Sequence, residues 1–379
     1  MTDAVQQTDR QRLADARRGV VKVGSALLTN DGRGLDASVV KMLADQLAAL
    51  RSLGCDVVLV SSGAIVAGLA RLNLPERPHE VHLSQAAAAV GQSALVRAYE
   101  EHLSPHGLTT AQILLSHADV RARDRYLNAR STLSTLLAMN VLPIVNENDT
   151  VVTDEIRLGD NDTLAALVAN LVDADALLIL TDQDGLMDSD PRQSPEAALI
   201  QTADVHDSSL DTIAGAGSAL GRGGMATKLS AARLAARSGT ATVIANGRQA
   251  DAITQVAGGA SLGTFLQTQR QPQSARKQWL ASLLHAQGSL VLDDGAVKGV
   301  SDQGRSLLPI GVVSVAGDFQ RGDLVSCLDS SGRERARGLA NYSSEEAKAL
   351  AGKASADIES VLGYRGEEEL IHRDNLVGS

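Results

Sequence analysis

The sequence has 379 residues, of which 44% are hydrophobic and 2% aromatic, and its formal net charge is −10. This length predicts two domains, or one large domain with an appendage, built around a core of Ala, Leu, Val and Ile. The acidic balance and the scarcity of aromatic side chains disfavour a surface that binds a polyanion or stacks nucleotide bases, but they do not exclude a small anionic substrate.

Cysteine usage and hydropathy indicate a reducing compartment. Cys55 and Cys327 are far apart in sequence, and neither has a neighbour at metal-ligand or CxxC spacing, which predicts two buried structural thiols. Residues 1–18 are polar and lack the apolar core of a secretory signal, and no apolar run reaches the length of a membrane span. We therefore expect a cytoplasmic protein with no membrane partner.

Strand and helix patterns alternate over the first two thirds of the chain. Short apolar runs predict buried strands, and segments with a period near 3.6 predict helices. The alternation predicts an α/β fold, a three-layer α/β/α sandwich with a mostly parallel central sheet. The strands are expected at 19–24, 56–62, 108–116, 141–145, 176–182 and 241–247, and the helices at 36–53, 84–103, 124–140, 163–172 and 228–239.

The pattern changes after residue 266, which predicts a second domain. The segment QTQRQPQSAR is polar and aperiodic and predicts a linker, and short strands with Gly and Asp turns follow it. These runs predict a small, mainly β domain. The expected organisation is a polar tail at 1–18, an α/β domain at 19–266, a linker at 267–276, the β domain at 277–365 and a C-terminal tail at 366–379.

Polar residues recur where four predicted strands end. Lys22 and Gly24 end the first strand, Ser61 to Gly63 follow the second, NEND follows VLPIV, and Thr181 with Asp182 follows ALLIL. Ligands of open α/β sheets bind beyond the carboxyl ends of the strands, so this recurrence predicts a site there.

Lys22 lies between Val21 and Val23, where an ammonium group is costly without partners. It either faces a phosphate group from the end of its strand, or lies on an edge strand with its stem reaching water. SSGAI (61–65) opens a helix whose N-terminus suits an anion, or it is a helix cap without a ligand.

A glycine-rich segment, GRGGMATK, places Lys228 at the mouth of a helix. It fits neither a Walker A loop nor a dinucleotide-binding fingerprint, and a flexible surface loop is the alternative. Asp162 is expected to cap the helix that follows GDND. Two lysines, anion-binding helix ends and acidic or amide-rich loops suit phosphoryl transfer, in which carboxylates hold the lysines in place or bind Mg²⁺.

The stretch NENDTVVTDEIRLGDND (146–162) packs carboxylates and amides together. Such residues either form two solvated loops, or face each other across a site for a polar substrate. NEND and GDND, the two motifs of this stretch, are among the stretches that match a known family over nearly the whole chain after about residue 18. The matching stretches are VVKVGSALLT, LVSSGAIVAG, AAVGQSALV, LNARSTL, VLPIVNENDTV, LGDNDTLAA, LLILTDQDGL, GRGGMATK, SLGTFL and RSLLPIGVVSVAGDFQRGDLV.

On these motifs the chain resembles the glutamate 5-kinases, members of the amino acid kinase family that often carry a C-terminal PUA domain. The resemblance implies that Lys22 and Lys228 contact the ATP phosphates and that Asp162 positions the two lysines. It implies a glutamate site at Ser62, Asp149 and Asn161, with Asn146 and Asp160 beside them. It implies an ATP site formed by Thr181, Asp182, Arg222, Gly223, Gly224, Met225, Ala226, Thr227, Lys22 and Lys228.

The implied reaction is the first step of proline synthesis. The γ-carboxylate of L-glutamate attacks ATP and gives glutamyl 5-phosphate and ADP. The resemblance also implies Mg²⁺ on the ATP phosphates, feedback inhibition by L-proline and a homo-oligomer, either a dimer or a tetramer. Arg222 departs from the family pattern, which has threonine or a similar residue there, so its role as a ligand stays open.

Two alternatives concern the partner and the substrate. PUA domains bind RNA in other proteins, but residues 276–379 contain 12 lysines and arginines against 15 aspartates and glutamates, whereas RNA-binding surfaces are normally basic. Trp279 is the only tryptophan available for stacking. Aspartate, acetylglutamate, carbamate and uridylate kinases share the architecture, and the NEND and GDND motifs argue against these substrates.

Overall fold

The computed structural model describes residues 10–29, 34–76, 78–151, 161–190, 194, 196–215, 224–268, 286–301 and 303–378. They form two compact units. The first comprises the described residues of Met1–His117 and Arg130–Pro272, and the second those of Ala118–Ala129 and Gln273–Ser379. None of the described helices combines the length and the apolar character that crossing a lipid bilayer requires.

The first unit is built on an eight-stranded sheet of described residues, in the order β3-β4-β2-β1-β5-β7-β8-β6. Strands β1 to β5 and β7 are parallel, and β8 is antiparallel to β7. The strands are β1 (Arg18–Val23), β2 (Asp56–Val60), β3 (Thr109–Leu115), β4 (Val141–Glu147), β5 (Ala176–Thr181), β6 (Thr202–Asp204), β7 (Ala241–Asn246) and β8 (Thr264–Gln267).

Helices cover both faces of this sheet, which confirms the three-layer prediction. The described helices between residues 25 and 257 are α1 (Ser25–Leu28), α2 (Ala37–Ser52), α3 (Ala64–Arg71), α4 (Val81–Leu103), α5 (His117–Arg121), α6 (Arg123–Ala138), α7 (Asn161–Leu171), α8 (Ser209–Gly215), α9 (Met225–Ala236) and α10 (Ala252–Ala257), of which most of α5 and the start of α6 belong to the second unit. Each predicted strand agrees with the structure within two residues and each predicted helix within three. Strands β6 and β8, which are short, were not predicted.

Alternation along β1 decides which layer Lys22 faces. Val21 and Val23 join one core cluster with residues of α2 and α4, among them Leu43 and Leu95. Because successive side chains of a strand point to opposite faces, Lys22 faces the other layer. That layer is formed by α7 and α9, which pack against each other and over β1 and β7.

Helices α3 and α4 approach unusually closely. A methyl group built on Gly68 would lie 1.7 Å from the carbonyl oxygen of Ala87, and one built on Gly91 would lie 1.8 Å from that of Ala64. No other side chain fits at either position without moving a backbone. The two glycines therefore set how α4 lies beside α3.

The N-terminal residues correct the prediction of a tail at 1–18. Residues 10–14 are helical, and Leu13 is buried. The guanidinium of Arg10 is also buried and donates to the carbonyl oxygens of Ala260, Leu262, Gln201 and Gly263 at 2.6–3.1 Å. Buried carbonyl groups need donors, and this arginine supplies them, so the segment from residue 10 onward belongs to the first unit.

The second unit contains a five-stranded sheet in the order β10-β9-β11-β12-β13. Its strands are β9 (Gly288–Leu292), β10 (Val312–Gly317), β11 (Leu324–Leu328), β12 (Glu334–Leu339) and β13 (Leu376–Gly378). Its helices are α11 (Asp294–Ser301), α12 (Ser344–Leu350) and α13 (Ile358–Leu362). The separate, mainly β domain is confirmed as a feature of the fold.

The C-terminal residues correct the prediction of a tail at 366–379. Leu370 and Ile371 are buried in the core of the second unit, and β13 pairs with β12. Residues 370–378 therefore complete the core and the sheet of the second unit and do not form a tail. The predicted linker lies outside the described residues from 269 to 276, and Gln267 ends β8.

Residues 118–129 belong to the second unit, which the sequence did not indicate. Leu127 forms a small apolar cluster with Leu324 and Leu339, against which Tyr126 and Val377 pack. The second unit is therefore discontinuous in sequence.

The two cysteines differ in burial. Cys327 is buried in the second unit, and burial raises the pKa of its thiol to about 12. Cys55 is only half-buried, which corrects the prediction of two buried thiols, although burial also raises its pKa. Both are free thiols, as expected.

Candidate active site

Two lysines share one carboxylate at the carboxyl edge of the sheet. Lys22 Nζ lies 2.6 Å from Asp162 Oδ1, and Lys228 Nζ lies 3.1 Å from Asp162 Oδ2. Lys22 comes from the end of β1, Asp162 from the first turn of α7 and Lys228 from the first turns of α9. The sheet and two helix N-termini thus converge on one Lys–Asp–Lys cluster.

All three members of this cluster are removed from water. Asp162 is 0% exposed, and Lys22 and Lys228 are each 5% exposed. Burial alone would raise the pKa of Asp162, but the charges of the two lysines outweigh it and lower the pKa below its ordinary value. The carboxylate is therefore ionised, and the cluster carries a net positive charge of one when both lysines are protonated.

The start of α9 is joined to the same carboxylate. Thr227 Oγ1 lies 3.0 Å from Asp162 Oδ2 and 2.8 Å from the carbonyl oxygen of Gly224. Gly224 precedes the helix and has no side chain between the backbone and the space in front of it. The first turn of α9 can thus bring its amide groups close to an anion.

A second polar cluster adjoins the first. Asn161 Nδ2 donates to the carbonyl oxygen of Ser61 at 2.8 Å, to Ser62 Oγ at 2.9 Å and to Asn146 Oδ1 at 2.9 Å. Asn146 Nδ2 in turn donates to Gln92 Oε1 at 2.7 Å. The two halves of NENDTVVTDEIRLGDND are therefore in contact through Asn146 and Asn161, so these ends are not separate solvated loops.

The loop at Ser61 to Gly63 has a backbone that requires glycine. Gly63 has φ +94°, in the left-handed region, and immediately precedes α3. Below the loop, Ser61 Oγ lies 3.3 Å from the hydroxyl of Tyr99. Tyr99 is fully buried, and burial raises the pKa of its phenol, so the hydroxyl stays protonated.

Comparison with known proteins agrees with this architecture. The amino acid kinase family matches residues 17–246, and the PUA domain matches residues 288–362. The first match spans more than half of the chain and contains both polar clusters.

The chain belongs to the amino acid kinase family.

Several glutamate 5-kinases align with this chain over nearly its whole length. Glutamate 5-kinase of Chromohalobacter salexigens is 58% identical over 98% of this chain and 98% of its own. Glutamate 5-kinase of Hahella chejuensis is 59% identical over 97% and 96%, and that of Paraburkholderia phymatum is 58% identical over 97% and 99%. In a structural comparison, UMP kinase from Bacillus anthracis aligns with a TM-score of 0.48 and 15% identity over 67% of this chain and 97% of its own.

The structure places those of the other predicted residues that it describes at the same edge. Asp149 is half-buried in the turn that follows β4. Thr181 ends β5, and its Oγ1 lies 3.1 Å from Asp182 Oδ1. Met225 and Ala226 open α9. The predicted residues Asp160, Arg222 and Gly223 lie outside the described residues.

Two details of the prediction are corrected by the geometry. Asp162 is not the helix cap, because α7 begins at Asn161 and places Asp162 in the first turn, with its carboxylate turned to the lysines. The edge-strand alternative for Lys22 is excluded, because β1 lies between β2 and β5 and Lys22 is buried. Among the described residues, no group of three or more His, Cys, Asp or Glu could hold a metal ion.

Sequence reasoning assigned no role to the residues that support this site. Gln92 and Tyr99 lie on one face of α4, seven residues apart, and contact Asn146 and Ser61 respectively. The available signal was a glutamine within the apolar stretch AAAAVGQSAL. Asn246, which ends β7, donates to Asp184 Oδ1 at 2.9 Å and was also missed.

Proposed function

We propose that this chain transfers the γ-phosphoryl group of ATP to the γ-carboxylate of L-glutamate, giving glutamyl 5-phosphate and ADP. The observation that carries the proposal is the buried Lys22–Asp162–Lys228 cluster beside an amide-lined site. Relatives named glutamate 5-kinase, 58% identical over nearly the whole chain, support the substrate. By analogy with them, the reaction is the first step of proline synthesis.

The lysine cluster is assigned to the transferring group. Charge on the γ-phosphoryl oxygens is stabilised by preorganised cations in a water-poor site. Asp162 offsets the repulsion between the ammonium groups of Lys22 and Lys228 and fixes where each is held. The attacking group is a carboxylate that is already ionised, so the reaction needs no general base to remove a proton from it.

The amide cluster is assigned to the amino acid. Asn161 and Asp162 are consecutive residues in the first turn of α7, and their side chains belong to different clusters. One helix end thus joins the proposed glutamate site to the proposed phosphoryl site. Ser62, Asn146 and Asn161 are assigned to the polar groups of L-glutamate, together with Asp149 and Asp160.

The nucleotide is assigned to the ends of β5 and β7 and the start of α9. Thr181 ends β5, which neighbours β1 in the sheet, and Asp182 follows it, while Gly224 precedes α9 and Met225 to Lys228 form its start. Arg222 and Gly223 are assigned to the same nucleotide site. Mg²⁺ is proposed to enter on the phosphate oxygens of ATP, as part of the substrate, where it offsets their negative charge.

Substitution of Asp149 tests the amino-acid assignment. Asp149→Ala is expected to raise the KM for L-glutamate by roughly tenfold or more, because a carboxylate that binds an ammonium group contributes about that much affinity. The KM for ATP should change by less than about twofold, since the nucleotide is assigned to other strand ends. Steady-state kinetics with each substrate varied in turn measures both. Equal rises in the two KM values would contradict the assignment.

A substrate panel tests the reaction itself. The purified chain is incubated with MgATP and L-glutamate, L-aspartate, N-acetyl-L-glutamate, carbamate or UMP, and ADP release is measured while hydroxylamine traps acyl phosphate. Hydroxamate formed from L-glutamate and not from the other acids, and suppressed by L-proline, is the expected result. Folded protein without turnover of L-glutamate would overturn the proposal. Sedimentation of the same sample tests the proposed dimer or tetramer.

A further inference from the structure

Gln92 is a buried residue of α4 that no part of the proposed reaction uses. It is 7% exposed, and its Oε1 accepts a hydrogen bond from Asn146 Nδ2 at 2.7 Å. Asn146 is itself 2% exposed and lies against Asn161. Three amide side chains from three elements, α4, β4 and α7, are thus linked in one row, Gln92–Asn146–Asn161.

The orientation of every amide in this row follows from the Ser61 carbonyl group at one end of the row. The carbonyl oxygen of Ser61 can only accept a hydrogen bond, so Asn161 must present Nδ2 to it. The same Nδ2 faces Asn146, which must therefore present Oδ1. Asn146 then turns Nδ2 towards Gln92, which accepts through Oε1. No single amide of the row can be reversed without placing donor against donor or acceptor against acceptor.

This polarity decides what Asn161 offers to a ligand. Its Nδ2 is occupied by Ser61, Ser62 and Asn146, and no described residue donates to its Oδ1. Asn161 is only half-buried, unlike Asn146. An accessible carbonyl oxygen suits a cation such as the ammonium group of an amino acid, and it does not suit a carboxylate.

The other end of the row is also informative. Gln92 Nε2 is buried, and within the described part of the chain nothing accepts a hydrogen bond from it. A buried donor without an acceptor destabilises a fold, so stability alone gives no reason for an amide at this position. What Gln92 supplies is the acceptor Oε1, which keeps Asn146 in its orientation.

We propose that Gln92 is a positioning residue which, through Asn146, holds Asn161 Oδ1 ready to accept from the ammonium group of the substrate. The inference rests on the proposed function and adds which group of the amino acid this row recognises. Without the acceptor at Gln92, Asn146 Nδ2 would be buried unpaired, and its side chain would turn away from Asn161. Asn161 is then held by Ser61 and Ser62 alone, without the contact to Asn146.

The test compares L-glutamate with glutarate, which lacks the ammonium group. Gln92→Met removes the acceptor and keeps the volume. Its Kd for L-glutamate, measured by titration calorimetry, is expected to rise about tenfold or more, which is the effect of losing a hydrogen bond to a charged group. Its Kd for glutarate should stay within about twofold of the wild-type value, because glutarate makes no use of Asn161 Oδ1. Thermal stability should be retained, because the substitution also removes the buried, unpaired Gln92 Nε2, which offsets the newly unpaired Asn146 Nδ2.

Gln46→Met is the matched control. Gln46 is likewise a buried glutamine on a helix, but it pairs with backbone groups of Met42 and Ile253 away from the site. It should lose thermal stability and keep both Kd values. Gln92→Glu, which retains an acceptor oxygen, is the second variant and should bind L-glutamate within about threefold of wild type.

The outcomes separate the two proposals. If Gln92→Met loses affinity for L-glutamate and glutarate equally, or loses affinity for neither, the inference is overturned. The proposed function stays intact in that case as long as the wild-type protein turns over L-glutamate. A folded Gln92→Glu that binds as poorly as Gln92→Met also overturns it. A wild-type protein that neither binds nor phosphorylates L-glutamate overturns the proposed function, and this inference with it.

Discussion

Asp162→Asn is expected to lower kcat/KM by roughly 10²- to 10³-fold, the usual cost of losing one preorganised electrostatic contact in an active site. The substitution removes the negative charge that lies between Lys22 Nζ and Lys228 Nζ. The two buried ammonium groups then repel each other more strongly and leave the positions from which they are proposed to hold the transferring phosphoryl group.

The same substitution should destabilise the fold. Removing one partner of a buried ion pair costs about 3–5 kcal/mol, because the remaining charge stays buried. The lysines lower the pKa of Asp162, so its stabilising contribution is present above the ordinary value of 3.8 and is lost as pH falls through the lower pKa of the folded state. The difference in unfolding free energy from wild type should therefore be constant between pH 6 and 8, provided both lysines stay protonated.

Asp45→Asn is the matched control for both measurements. Asp45 also contacts two basic side chains, Lys41 and His106, but on the exposed surface of α2 and beyond the end of α4. Exposed pairs of this kind contribute little. Asp45→Asn should therefore keep kcat/KM and the free energy of unfolding close to the wild-type values, whereas Asp162→Asn lowers both. Full activity in Asp162→Asn would show that the lysines are positioned by other groups.

Gly91→Ala is expected to lower the free energy of unfolding by about 3 kcal/mol or more, although alanine is the better helix former. The added methyl group would lie 1.8 Å from the carbonyl oxygen of Ala64 and 2.4 Å from the amide nitrogen of Gly68. Both atoms belong to the backbone of α3, so no side-chain rotation relieves the overlap. Helix α4 must move away from α3.

Gly299→Ala is the corresponding control. Gly299 is also inside a helix, α11, but a methyl group there meets nothing within 4 Å. This variant should be neutral or more stable by roughly 0.5–1 kcal/mol. Denaturant unfolding of the two variants measures the contrast. Because α4 also carries Gln92, Gly91→Ala should weaken L-glutamate binding, and wild-type stability in this variant would contradict the packing argument.

The sheet was predictable because its strands are short apolar runs, buried on both faces, that begin and end within two residues of the observed limits. The packing of the two terminal segments could not be predicted in the same way. Arg10 was unrecognisable as a buried residue in a polar stretch, since its acceptors are carbonyl oxygens about 190 to 250 residues away. Likewise, β13 has only three residues and pairs with a strand that begins 42 residues earlier.

The candidate site was predictable to the extent that its residues lie at strand ends. Lys22, Asn146 and Thr181 end or follow apolar runs, Lys228 follows a glycine-rich segment, and the resemblance to a family supplied the role of Asp162 between the two lysines. Gln92 follows no strand. Its partner is 54 residues distant, and nothing in a helical pattern distinguishes a buried amide from an exposed one until the facing element is known.

The discontinuous second unit has a consequence for how this chain is made. Leu127 leaves the ribosome nearly 200 residues before Leu324, against which it packs. At about 5–20 residues per second, that interval lasts roughly 10–40 s. During this time Leu127 lacks the cover of Leu324 and Leu339, and it is open to chaperones or to neighbouring nascent chains. The second unit is completed only once β13 (Leu376–Gly378) has been synthesised.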